Sequence, residues 1–178
     1  MNSDPNAAVQ AVQDNILNLL DLVEQASRSD AGEDSVALAS EAHQTILQLI
    51  AAIVLSDGEY TVGEQAFIQA LLDVSDKPGG EIAYLNEYAE AWKTTTLTVP
   101  RFFKAAVRHD ARCHTKIARA LLREIQLIGN NSSITDGKFG SCEHKVVHNY
   151  ILFLEEFMMA WKAPLQDKAD PESGWLSV

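Results

Sequence analysis

Cysteine, proline and glycine are scarce in this chain of 178 residues. Two cysteines are too few for a disulfide framework, so we interpret Cys113 and Cys142 as free thiols in a reducing compartment. Five prolines and nine glycines argue against a fibrous or low-complexity chain. No run reaches the ~18 apolar residues of a membrane span, and the first residues lack the basic and apolar regions of a signal peptide. We therefore expect a cytoplasmic globular protein with no membrane span.

Basic residues are also few, and they are unevenly placed. The chain has 14 Lys and Arg against 25 Asp and Glu, which gives a formal net charge of −11. Half of the basic residues fall within 101–123, where Asp110 is the only acidic residue. These seven residues, called the basic strip from here on, are Arg101, Lys104, Arg108, Arg112, Lys116, Arg119 and Arg123.

The basic strip has two interpretations. Its first three members follow helical spacing, as do its last four, so each group can line one outer face of a helix. Nucleic acid is disfavoured as a partner, because aromatic residues do not alternate with the cations and the rest of the protein is acidic. An acidic protein partner or an anionic ligand fits better. The alternative is a solvated face, or one neutralised by acidic residues of the same chain.

Hydrophobic residues make up 47% of the chain and recur at spacings of three and four. This pattern predicts an all-α fold, a single bundle of about seven helices. We expect an N-terminal amphipathic helix and loop over 1–34, a helical domain over 35–162 and a disordered tail over 163–178. Proline at position 100 opens the fifth helix, and the polar stretch 108–115 is expected to interrupt it.

An internal repeat divides the helical domain into two halves. Asp57-Gly58 is followed by Glu64, and Asp136-Gly137 is followed by Glu143; each residue of the second set stands 79 positions after its counterpart. Several apolar positions of the flanking helices match at the same offset. The sequence therefore predicts two pseudo-symmetric helix–turn–helix halves.

These paired motifs, Ser56-Asp57-Gly58-Glu59-Tyr60 and Thr135-Asp136-Gly137-Lys138-Phe139, resemble those of the TerB-like domains named for tellurite resistance. The resemblance covers roughly residues 35–161. It implies an all-α bundle that serves a bacterial stress-response or defence system. It also implies a divalent metal ion bound through acidic residues, which correspond here to Asp57, Glu64, Asp136 and Glu143.

The four carboxylates also have two physical interpretations. Several converging oxygen ligands suit a hard cation, so Ca²⁺ or Mg²⁺ is favoured over Zn²⁺. Without metal, Thr61 and Glu64 fit a capping box at the start of a helix, and Glu143 can cap the corresponding helix. Asp57 and Asp136 are then turn residues beside glycines in the left-handed conformation.

A second group of side chains has ligand or catalytic chemistry. Its members are His109, Asp110, Cys113, His114, Cys142, His144 and His148. No Cys-x-x-Cys or His-Glu-x-x-His pattern accompanies them, so they are also compatible with ordinary surface residues. The favoured function is a non-catalytic interaction module that docks an acidic partner, and a homo-oligomer is compatible with this. The alternative is a metal-dependent enzyme that uses the carboxylates or the Cys/His group.

Overall fold

The computed structural model describes residues 5–28, 34–72, 80–133 and 141–166. These ranges contain seven α-helices and no strand, which confirms the all-α prediction. The helices are α1 (Pro5–Ser27), α2 (Ser35–Val54), α3 (Val62–Leu72), α4 (Gly80–Thr95), α5 (Arg101–Cys113), α6 (Ile117–Ser132) and α7 (Ser141–Gln166).

Helix α1 is an integral part of the bundle. It packs mainly on α6 and also contacts α2, α3 and α5. Val12, Leu19 and Val23, which belong to the predicted pattern of three-and-four spacings, are completely buried. Removal of this apolar face from water is the main contribution of α1 to stability.

Helix α2 lies at the centre of the fold, in contact with α1, α4, α5, α6 and α7. Nine of its residues are buried, including Ile46, Leu49 and Ile53. Asp34 caps the start of the helix. Its Oδ1 accepts hydrogen bonds from the backbone N–H groups of Val36 and Ala37, with N···O distances of 3.0 and 3.4 Å. Helix α2 is long and apolar enough to cross a membrane by length and composition alone. An apolar composition of this kind is also expected of a helix that packs on five neighbouring helices, as α2 does.

The interruption expected within 108–115 is present, but it begins only at residue 114. Helix α5 continues to Cys113, and only residues 114–116 separate it from α6. Polar residues do not break a helix when they lie on its outer face, since solvent hydrates their side chains. The chain turns at His114, whose φ of 55° is left-handed and whose N–H donates to the Asp110 carbonyl at 2.9 Å.

The boundary expected at residue 163 is also displaced. Helix α7 continues to Gln166, so Ala163 and Pro164 lie within it. Pro164 removes one helical hydrogen bond without forcing the chain to leave the helix. The rest of the expected tail, 167–178, lies outside the described residues.

The repeat is visible in the positions of the helices. Helix α3 begins at Val62 and α7 begins at Ser141, again 79 positions later. Glu64 and Glu143 lie in the first turns of these two helices, and both are buried. Burial of a carboxylate at both corresponding positions is unusual for glutamate, because a buried charge needs a partner that offsets the loss of hydration.

Candidate functional site

The first Asp-Gly motif forms a turn. The Asp57 carboxylate accepts the backbone N–H of Glu59 at 2.9 Å, and Gly58 has a φ of +81°. Glycine adopts this left-handed conformation without the steric penalty that a Cβ imposes. Asp57 is exposed, and its carboxylate stabilises the turn. This is the structural role that the second interpretation of the four carboxylates predicts for it.

Thr61 and Glu64 form the predicted capping box. Glu64 Oε2 accepts the backbone N–H of Thr61 at 2.7 Å and its hydroxyl at 2.8 Å. The Thr61 hydroxyl in turn accepts the backbone N–H of Glu64 at 3.2 Å. Each residue thus satisfies a donor at the start of α3 that has no partner within the helix.

The other half of the predicted metal set is only partly described. Glu143 is buried at the start of α7, whereas Asp136 lies in 134–140, outside the described residues. Within the described ranges, no group of three or more His, Cys, Asp or Glu side chains is placed to hold a metal ion. Convergence of Asp57, Glu64, Asp136 and Glu143 on one ion stays a prediction.

Substitutions at Glu64 separate the cap from a metal ligand. Glu64→Ala removes an acceptor from the capping box and is expected to lower the free energy of unfolding by about 1–2 kcal/mol. Glu64→Gln keeps an oxygen acceptor and is expected to cost less. Urea denaturation gives both values. If Ca²⁺ or Mg²⁺ raises the melting temperature of the wild type and has no effect on Glu64→Gln, Glu64 is a metal ligand and the cap is not its only role.

The Cys/His group is divided between two places. Cys113 and His114 are exposed at the end of α5, and Cys142 is exposed at the start of α7. His144 and His148 lie one turn apart on α7, with ring centroids separated by 5.8 Å. No cluster of the kind a zinc site requires is formed by these residues in the described part of the chain.

The basic strip extends over two consecutive helices. Arg101, Lys104, Arg108 and Arg112 lie on α5, Lys116 lies in the connection, and Arg119 and Arg123 lie on α6. Lys104 and Arg108 are half-buried, and the other five are exposed. The opposite side of both helices faces the core, since Phe103 and Val107 of α5 and Leu121 and Ile125 of α6 are buried.

Four members of the strip form no ion pair within the part of the chain that the structure describes. Lys104, Lys116, Arg119 and Arg123 form no ion pair with any carboxylate of the described residues. Within the described ranges, these four cations are therefore not neutralised by ion pairs.

Asp110, the one acidic residue within 101–123, holds the connection between α5 and α6. Its Oδ1 accepts the hydroxyl of Thr115 at 2.5 Å and the N–H of Ile117 at 2.8 Å. Its Oδ2 accepts the N–H of Ala118 at 3.0 Å. Asp110 thus caps α6 from the preceding helix, a function that the sequence analysis did not anticipate.

Glu41 holds the other end of α5. Pro100 precedes that helix and supplies no side-chain cap, and Glu41 Oε1 on α2 accepts the N–H of Arg101 at 3.0 Å. Glu41 Oε2 and the Tyr150 hydroxyl are buried with no hydrogen-bond partner among the described residues. Burial raises the pKa of the Tyr150 hydroxyl, and the Glu41 carboxylate raises it further. Both ends of α5 are thus fixed by a carboxylate, which orients the strip.

Comparisons with known proteins give no relative: no protein-family model, curated protein or solved structure matches the chain.

Proposed function

We propose that this protein is a non-catalytic interaction module that binds an acidic protein partner through the basic strip. The resemblance of its Asp-Gly motifs to TerB-like domains suggests a bacterial stress-response or defence system as the setting. A divalent ion held by Asp57, Glu64, Asp136 and Glu143 belongs to the same proposal. The observation that supports the docking role is that Lys104, Lys116, Arg119 and Arg123 form no ion pair with a carboxylate of the described residues.

The electrostatics favour a protein partner over nucleic acid. The net charge of −11 repels long polyanions, which extend well beyond the strip. A folded partner with a local acidic patch can approach the strip to within the Debye length, which is ~8 Å at physiological ionic strength. At such distances salt screens the attraction only in part. Such patches increase association rates and fix the orientation of the complex.

The strip is also built to keep its geometry. The connection of residues 114–116 is short, and Asp110 closes it with three hydrogen bonds. The first N–H of α5 is held by Glu41. Cations on fixed helices lose less conformational freedom on binding than cations on a loose loop.

Selection from a displayed library of short random peptides tests the proposal. Peptides that bind the wild-type protein are retained, and those that also bind the double variant Arg119→Glu/Arg123→Glu are discarded. Peptides that depend on the strip are expected to carry a net negative charge. This result would be diagnostic, because the field of a protein with net charge −11 favours cationic peptides everywhere else.

A matched variant controls for net charge. Lys93→Glu/Lys145→Glu reverses two exposed cations on α4 and α7 and changes the net charge by the same amount. We expect the strip reversal to weaken binding of a selected peptide about tenfold or more and to reduce its salt dependence. The control is expected to change affinity much less, and circular dichroism should show native helix content for both. Equal losses for both variants, or selection of basic peptides, would contradict the proposal.

A further inference from the structure

A small polar cavity lies between α6 and α7. Its volume is about 40 Å³. Gln126 and Asn130 line it from α6. His144 and His148 line it from α7. A single water molecule needs ~10–15 Å³ of such volume, so the cavity has room for an ion and one or two waters but not for an organic ligand.

The two histidines of this cavity are spaced to bind one metal ion. His144 and His148 are one helical turn apart, and their rings lie at an angle of 26° with centroids separated by 5.8 Å. Both residues are exposed, so close packing does not prevent rotation of either ring. Two histidines at this i, i+4 spacing on one helix face form a recurrent metal-binding arrangement, with each ligating nitrogen ~2.0–2.1 Å from the ion.

His144 has a further interaction within the protein, and metal binding is compatible with it. An imidazole ring carries two nitrogens that are distinct hydrogen-bonding groups. A histidine that binds a metal ion through one nitrogen usually donates the N–H of the other to a protein group or to water. A partner on one side of the ring therefore leaves the other side for the ion.

Helix α6 brings two amide side chains to the same cavity. Gln126 and Asn130 are also four residues apart, so they share one face of α6. The two helices approach closely beside Asn130, because Gly129 has no Cβ and lies against Val147. A Cβ at Gly129 would be 2.5 Å from Cγ2 of that valine. The amide oxygens are thus placed opposite the imidazoles, and they are available as neutral oxygen ligands.

The donor set indicates the class of metal. Within the described ranges, no third His, Cys, Asp or Glu joins the two histidines in a metal-binding group, so amide oxygens and water complete the set. Structural zinc sites take four ligands, mostly thiolates and imidazoles, whereas Ca²⁺ and Mg²⁺ take oxygen ligands. Two imidazoles with neutral oxygens suit Ni²⁺ and Cu²⁺, which favour mixed nitrogen and oxygen ligands in a tetragonal arrangement.

The charge of the protein also favours a cation here. The net charge of −11 raises the concentration of cations near the surface. Lys145 follows His144 in the sequence, but it is exposed and does not line the cavity. The cavity itself is lined by neutral amides, two histidines and the apolar residues Val147 and Ile151.

We propose that His144 and His148 bind a late first-row divalent metal ion, Ni²⁺ or Cu²⁺, together with the two amide oxygens of α6. The ion then joins α6 to α7 and stabilises the native state, because it binds the folded chain and not the unfolded one. This site shares no residue with the basic strip or with the four carboxylates of the Asp-Gly motifs. Its failure would therefore leave the proposed function untouched, and the reverse also holds.

Calorimetric titration of the untagged full-length protein with Ni²⁺ tests the inference. Ni²⁺ is the probe because Cu²⁺ also oxidises exposed thiols such as Cys142. Loss of even an outer-shell partner weakens metal binding about 10–100-fold, so His144→Ala and His148→Ala should each weaken it about tenfold or more. Ni²⁺ should raise the melting temperature of the wild type and have little effect on that of His148→Ala.

Two further variants control for histidine content and test the contribution of α6. His43→Ala removes an exposed histidine of α2 and should leave the Ni²⁺ affinity within about twofold of the wild type. Gln126→Ala/Asn130→Ala should weaken binding about threefold or more, less than loss of an imidazole, because neutral oxygens are the weaker ligands of Ni²⁺. Circular dichroism should show native helix content for all of these variants.

Several results would overturn the inference. Equal affinities of His148→Ala and His43→Ala would show that the pair on α7 does not bind the ion. Unchanged affinity of Gln126→Ala/Asn130→Ala would show that the ion does not join α6 to α7. A loss in Cys142→Ser as large as that in His148→Ala would indicate a thiolate site instead. Displacement of Ni²⁺ by excess Ca²⁺ would place the ion on carboxylates.

Discussion

Replacing Gly129 with alanine should lower the free energy of unfolding by about 2 kcal/mol, although alanine is the better helix former. Gly129 is buried in α6 where that helix meets α7. A Cβ at this position would lie 2.5 Å from Cγ2 and 2.8 Å from Cγ1 of Val147. The Cβ of Val147 would be only 3.2 Å away, so rotation of its side chain cannot relieve the clash and the helices must separate.

The size of this effect follows from two opposed terms. Glycine to alanine inside a helix gains about 1 kcal/mol of propensity. Overpacking of a close-packed interface costs about 1–3 kcal/mol and occasionally more, and a contact as short as 2.5 Å is at the severe end. The steric term should therefore exceed the propensity term.

A double-mutant cycle with Val147→Ala identifies the cause. The double variant Gly129→Ala/Val147→Ala should be more stable than the sum of the single losses by about 1 kcal/mol or more, because the smaller side chain leaves room for the new methyl group. Urea denaturation of the four proteins measures the coupling. Additive losses, or a Gly129→Ala protein more stable than the wild type, would show that α6 and α7 are not in close contact at this point.

Replacing Asp110 with alanine should cost about 2–3 kcal/mol and should also weaken peptide binding. The substitution leaves three donors without their acceptor, those of Thr115, Ile117 and Ala118. A lost helix cap alone costs about 0.5–2 kcal/mol, and hydrogen bonds to a charged acceptor add to that. Because the same contacts hold the connection between α5 and α6, the variant should also lose the fixed arrangement of Lys116 and its neighbours.

Two further variants distinguish the cap from a general charge effect. Asp110→Asn keeps an oxygen that can accept from Ile117 and should retain part of the stability. Asp14→Ala removes a carboxylate of α1 that is exposed and accepts from Gln10 at 2.8 Å, and it should cost at most about 0.5 kcal/mol. Thermal and urea denaturation provide the comparison. An Asp110→Ala protein as stable as Asp14→Ala would mean that Asp110 does not hold α6.

Local patterns were sufficient to predict most of the helices and one of the caps. Spacings of three and four identify the buried face of α1, because one face of an amphipathic helix must leave water. The capping box of Thr61 and Glu64 was predictable since both partners lie within one turn. The repeat is also a local pattern, and the helix starts at Val62 and Ser141 are separated by its offset of 79 positions.

Contacts between distant positions were not predictable in this way. Glu41 accepts from Arg101, 60 residues later, and nothing in the sequence around α5 indicates that α2 supplies its cap. The polar stretch 108–115 predicts a break between two helices, but it does not indicate that Asp110 accepts a hydrogen bond from Ile117 across that break. The spacing of the strip shows which side chains share a face, whereas the ion pairs that these side chains form depend on the fold of the whole chain.

Hydrogen exchange of the full protein, with and without a selected acidic peptide, tests the docking surface most directly. Binding at the strip should slow amide exchange in residues 104–120, because a docked peptide suppresses local opening there. The same peptide should give no protection in Arg119→Glu/Arg123→Glu. Protection confined to α3 and α4, or equal protection in the wild type and the strip variant, would contradict binding through the basic strip.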